Sequence, residues 1–173
     1  MIDADYWIDK LNLTIESEVG GHLQETSKSN ETIYRSCLPE RFNGDRVLYS
    51  AVYYLLRDRE VTALHQLKQD EMWHFYTGKP LAIHLFPADR KNYQMIKLGS
   101  NFEAGEVFQA VAPHDTWFGV ELLEPNSFAL VGTVLAPGYN PADSKNPTPA
   151  IKNQLIEFYP NQKEIVERLT QKI

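Results

Sequence analysis

Short apolar runs separated by turn residues dominate positions 47–135. The run 47–56 (VLYSAVYYLL) is aromatic and aliphatic with little alternation, which predicts a strand covered on both faces. Segments 60–66 and 71–76 follow, and Gly78-Lys79-Pro80 predicts the turn that closes them. Leu81–Phe86 alternates around His84, and segments 93–98, 107–111, 118–123 and 128–135 continue the series. Short strands at regular spacing, with no long helical stretch between them, predict a sandwich or barrel rather than a βαβ sheet.

The two flanks read differently. Tyr6, Trp7, Ile8 and Leu11 form an apolar stripe at helical spacing, with Asp3 or Asp5 as its cap. Gly20-Gly21 interrupts the chain. Segment 23–37 is rich in Ser and Thr and alternates loosely, which predicts an exposed, β-prone arm. After Pro137-Gly138, segment 140–149 carries three prolines and predicts a loop. One helix is expected from Thr148-Pro149, where proline suits an early helical position, with Ile151, Leu155 and Phe158 as its stripe. A second is expected from Asn161, with Ile165, Val166 and Leu169. The expected organisation is a single domain, 1–173: a helix and arm over 1–37, a barrel core over 47–139, and a loop with two helices over 140–173.

Composition supports a packed domain and narrows its partners. The chain has 173 residues, 43% of them hydrophobic and 23% charged, which suits a core and argues against disorder. The net charge of -6 argues against general binding to nucleic acid or an anionic membrane. No stretch approaches the roughly 20 apolar residues of a membrane span. Asp3, Asp5 and Asp9 argue against a basic-then-apolar leader. Cys37 stands alone, so no internal disulfide is expected, and a reducing, cytoplasmic setting fits.

Candidate chemistry concentrates in 64–78. His65, Asp70, Glu71, Trp73 and His74 lie there within ten residues of one another. On regular strands His65 and Leu67 share one face; Glu71, Trp73 and Phe75 share another, with His74 opposite. A loop of exposed polar groups around one core tryptophan explains the same residues. A second group, Pro113-His114-Asp115-Thr116-Trp117-Phe118, reads as a tight turn delivering Trp117 onto a strand. A third, Val134-Leu135-Ala136-Pro137-Gly138-Tyr139, is a strand end and turn.

Together these segments resemble the cupin superfamily, and within it the small cupin-5 family, DUF985. The resemblance runs from Gly20-Gly21, through Ala51-Val52-Tyr53-Tyr54-Leu55-Leu56, to the C-terminal tail. It implies an all-β fold: a double-stranded β-helix, or jelly-roll-like, barrel with a short N-terminal helix and two short C-terminal helices. The cupin metal pattern is H-x-H-(x)3-E before a glycine, then P-G-x-x-H. His65 matches its first histidine, Glu71 its glutamate and Gly78 its glycine, but Leu67 and Trp117 stand at the other two histidine positions. No metal cofactor is therefore expected; if one binds, His65 and Glu71 are its candidate ligands. The family's N-terminal H-P-E-G-G is here Ser17-Glu18-Val19-Gly20-Gly21, so the roles of that histidine and glutamate do not carry over.

The resemblance implies a barrel that holds a small metabolite. His65 and Glu71 are the candidate catalytic residues, as base and orienter. Trp73 and Trp117, with His74 and Tyr53 or Tyr54, are the candidate ligand-binding residues. By analogy with metal-free sugar-nucleotide epimerases of similar (RmlC-like) shape, an epimerase- or isomerase-like activity on a sugar or sugar nucleotide is expected. The alternatives are a non-catalytic binding barrel and a metal-dependent enzyme. No nucleic-acid or membrane partner is expected. Such cupins are commonly homodimers, and the arm 23–37 is expected to find its strand partner in a second subunit.

Overall fold

The structure, a computed structural model, describes residues 3–88 and 92–170. The first two positions of the expected segment 1–37 and the last three of 140–173 lie outside the described residues. Strands β1 (Ile15–Glu16), β2 (His22–Lys28), β3 (Thr32–Ile33), β4 (Arg46–Val47) and β5 (Ser50–Arg57) lead into the core. β6 (Val61–Leu67), β7 (Asp70–Gly78), β8 (Leu81–Phe86) and β9 (Gln94–Leu98) follow. β10 (Glu106–Val107), β11 (Gln109–Ala112), β12 (Trp117–Leu122), β13 (Phe128–Ala136) and β14 (Ser144–Lys145) complete them. Helices α1 (Ala4–Leu11), α2 (Pro149–Phe158) and α3 (Lys163–Leu169) stand at the two ends of the chain.

The strands form two six-stranded sheets, ordered β1-β2-β5-β13-β7-β11 and β10-β9-β8-β12-β6-β14. β3 and β4 make a separate ribbon. Nearly every pairing is antiparallel; β9 with β10 is parallel. Strand alternation sends Tyr54, Leu56, Trp73, Leu81, Ile83, Phe118 and Val131 into one shared core between the sheets. The cupin-type double-stranded β-helix is thus the observed architecture, as two facing sheets.

Helices cover the outer faces where strands present apolar residues on both sides. Asp3 caps α1 by accepting from the Tyr6 N–H, and Trp7, Ile8 and Leu11 pack over Leu55 and Leu130. Thr148 caps α2, with proline at the start of the helix. α2 and α3 lay Leu155, Val166 and Leu169 over Leu64 and Phe86. This burial on both sides is why all six residues of β8 are buried.

The arm departs from expectation. β2 pairs antiparallel with β5 of its own chain, His22 opposite Leu55 and Lys28 opposite Ser50. This gives the arm a strand partner on one side within its own chain; beyond Leu23 its other edge has no strand partner among the described residues.

Candidate functional site

The space between the sheets is not filled throughout. A cavity of about 430 Å³ lies between the walls built by β5, β6, β7 and β13, with β2 at one side. The turn Ser17–Val19 and the strap carrying Tyr139, Pro141, Ser144 and Asn146 border it.

Alternation along β7 buries Glu71 and Trp73 and turns Met72 and Tyr76 outward. On β6 it turns His65 and Leu67 inward, as the spacing predicts. His65 is 5% exposed. Its Nδ1–H donates to the Ala63 carbonyl at 2.8 Å, which leaves Nε2 a lone-pair acceptor without a partner among the described residues. Burial lowers its pKa to about 4, against the opposing effect of that carbonyl. The imidazole is therefore neutral at neutral pH.

Glu71, 8% exposed, is the converse case. Burial pushes its carboxyl up to about 7, while the Thr133 hydroxyl and the Trp73 indole pull the other way. The indole N–H completes no hydrogen bond of ordinary geometry and is buried unpaired, so its hold on the carboxylate is weak. Tyr54 also lines the cavity, but its hydroxyl is committed. It donates to the Gly20 carbonyl at 2.6 Å and meets the Thr62 hydroxyl at 2.8 Å. Gly21 makes this possible: its φ is 76°, and a Cβ there would come within 2.6 Å of the Tyr54 hydroxyl oxygen.

Three of the expected residues stand elsewhere. Tyr53 faces outward beside Tyr76 and beneath α1, because it alternates with Tyr54. His74 is on the outer face of β7, its Nδ1 accepting from the Gln109 amide at 3.0 Å. Trp117 packs against the cluster beneath α2 and α3. His65 and Glu71 come from opposite sheets into one cavity, and no hydrogen bond joins them. Of Tyr53 and Tyr54, it is Tyr54 that shares the inward face with Val52 and Leu56. Thr133, Glu18 and Glu25 carried no signal of their own.

The donor set does not fit a divalent metal. His65 and Glu71 are two ligands where three or four are usual. Leu67 fills the second histidine position, and the fourth belongs to a tryptophan that points away. Among the described residues no group of three or more His, Cys, Asp or Glu could hold an ion. Protein purified without added metal is expected to carry well under one equivalent of zinc, iron, manganese or nickel. Elemental analysis checks this, and a full equivalent lost in His65→Ala would overturn it.

Among solved structures, a protein of Shewanella oneidensis, SO0799, matches over 100% of both chains at 29% identity, with a TM-score of 0.84. A hypothetical protein from Leishmania major is 26% identical over 96% of this chain and 98% of its own, with a TM-score of 0.81. Oxalate decarboxylase from Bacillus subtilis shares the fold at 16% identity and a TM-score of 0.52; the match covers 91% of this chain and 37% of that one. No curated protein matches. Residues 5–146 match the family described as Cupin superfamily (DUF985). With the two-sheet fold and its central cavity, that match places the chain in the DUF985 family of the cupin superfamily.

Proposed function

We propose that the chain binds a small polar metabolite of monosaccharide size between its two sheets and exchanges a proton with it through Glu71. The observation that supports this is a buried carboxyl opening on a cavity large enough for a ligand. Pockets for small molecules span about 300–1,000 Å³, and this one is at the small end. A carboxyl titrating near 7 both accepts and donates a proton at neutral pH, which general acid–base catalysis requires. One such group can carry the carbon-bound proton between neighbouring carbons on one face of the ligand, while the hydroxyl proton passes to the former carbonyl oxygen through the same carboxyl or water, so that the isomerisation balances. An epimerase needs an acid and a base on opposite faces. His65 faces Glu71 but is a weak base, and Tyr54 is committed to Gly20. Isomerase-like chemistry without metal is therefore the reading we favour over epimerisation. The commitment of Tyr54 also supports a second reading, a binder without catalysis.

Incubation with aldoses in heavy water, followed by NMR, separates the two. Exchange of the hydrogen beside the carbonyl, abolished in Glu71→Gln, is expected for the isomerase reading. Binding without exchange favours the binder. Neither binding nor exchange refutes the proposal.

The same carboxyl ties stability to pH. Its folded pKa is raised above the ordinary 4.5, so the folded chain holds the proton more tightly than the unfolded one. Its stabilising effect is complete below about pH 4.5 and is lost as the pH rises through 7. His65 acts at the acid side: its lowered pKa makes stability fall as the pH drops from about 6.5 toward 4. Where these windows overlap, between about pH 4.5 and 6.5, the two slopes oppose. Above pH 6.5 only the Glu71 slope remains. Urea unfolding of Glu71→Gln is expected to match the parent near pH 4.5 and to exceed it by up to about 3 kcal/mol at pH 8.5. Equal pH profiles for the two proteins would show that Glu71 titrates normally.

A further inference from the structure

The cavity is lined by carboxyl groups and neutral polar groups and by no cation among the described residues. Glu71, which is buried, and Glu18 and Glu25, which are exposed, lie along its lining, and neither Lys nor Arg appears among the described lining residues. His65 adds an independent feature: its side chain is more than nine-tenths buried, and its unpartnered Nε2 offers a lone pair from the opposite wall. Tyr54, Trp73 and Tyr139 supply aromatic surface between them. Two of the carboxylates act on one place, since Glu18 and Glu71 both help hold the Tyr139 phenol up, after the larger effect of burial.

We infer that the ligand of this cavity is a hydroxylated amine that enters as its ammonium, and that phosphorylated or carboxylated metabolites are excluded. This rests on the proposal that the cavity binds a sugar-sized metabolite, and it names the chemical class. An ammonium carries only donors and a positive charge, and so pairs with the carboxylates of a cavity that has no cation of its own among the described residues. Aromatic faces attract it further. Hydroxyl groups satisfy the neutral His65 acceptor at the other wall. A phosphate would meet carboxylates with no guanidinium or ammonium to pair it, and an unpaired charge taken into such a site is strongly disfavoured. That argues against the diphosphate of a sugar nucleotide. The overall charge of -6 works in the same direction, by drawing cations toward the protein.

Three probes of matched size and different charge test this: glucosamine, glucose and glucose 6-phosphate, titrated calorimetrically into the full chain at pH 7.5 and low salt. Glucosamine is expected to bind about tenfold or more tightly than glucose, with no heat from glucose 6-phosphate. Glu71→Gln and Glu18→Gln are each expected to weaken glucosamine several-fold more than glucose. A melting curve for each variant shows that it is folded. Binding of glucose 6-phosphate, or of glucose as tightly as glucosamine, overturns the charge assignment and leaves the sugar-sized cavity standing. No binding of any probe at 10-millimolar concentrations, on the order of the weakest useful affinities, overturns both. Glucosamine binding that survives both substitutions places the amine outside this cavity and overturns the inference alone.

Discussion

Trp73→Ala is expected to lower unfolding stability by about 3–5 kcal/mol, the range for large-to-small changes at buried aromatics. The ring is 2% exposed and meets Tyr54 edge-on at 5.7 Å between centroids. It closes the core between the sheets on one side and the cavity on the other. Since one face already borders a void, the new space merges with it, and the loss belongs nearer the lower end of that range. Trp73→Phe keeps most of the packing and removes an N–H that is buried without a partner, so it is expected to cost far less. Urea titration reads both, as a shift in midpoint at unchanged slope. A loss under about 1 kcal/mol for Trp73→Ala would mean that the indole is not part of the core. Binding separates the roles further. Trp73→Ala enlarges the cavity and weakens a ligand only through its wall, whereas Glu71→Gln removes a polar contact and leaves the packing intact.

The strand series, the three helices and the inward set His65, Leu67, Glu71 and Trp73 were legible because each rests on a local period. The errors have a common cause. Run 47–56 is one apolar block in sequence, but Leu48 and Tyr49 are exposed where the chain passes from the β3–β4 ribbon into β5. Segment 107–111 is likewise divided, with β10 in one sheet, β11 in the other and Phe108 exposed between them. Composition shows that a residue is apolar and not where the chain changes sheets. Trp117 misled for the same reason: α2 and α3 give its strand a second apolar face, so burial did not mean cavity. The arm looked partnerless because strand pairing across about 30 positions leaves no local trace. The cation-free lining was illegible too, since Glu18, Glu25 and Glu71 come together only in the fold.

Arg46→Met is expected to be comparably damaging, through charge rather than volume. Arg46 and Asp143 are 5% and 1% exposed and joined twice, by Nε to Oδ2 at 2.6 Å and by Nη2 to Oδ1 at 2.5 Å. Gln69 donates to the same carboxylate at 2.7 Å, and Lys68 stands 3.5 Å away. Burial alone would raise the Asp143 pKa; the Arg46 pairing outweighs it and holds the carboxyl below its ordinary range. Without Arg46, a buried carboxylate is left to Gln69 and Lys68. Breaking one side of such a pair costs about 3–5 kcal/mol, and Lys68 softens it toward the lower figure. Replacing both partners, as Arg46→Met with Asp143→Leu, is expected to recover most of the loss, because the unpaired charge goes with the pair. The pair also fixes the strap. Asp143 lies between Pro141 and Ser144, which border the cavity, and Arg46 anchors it from β4, far away in sequence. Arg46→Met is therefore expected to weaken any ligand of the cavity through a faster off-rate at a stability that still leaves the chain folded. The double variant separates the two effects. Recovered stability with weakened binding would show that the ion pair orients the strap, whereas recovery of both would show that only the buried charge mattered.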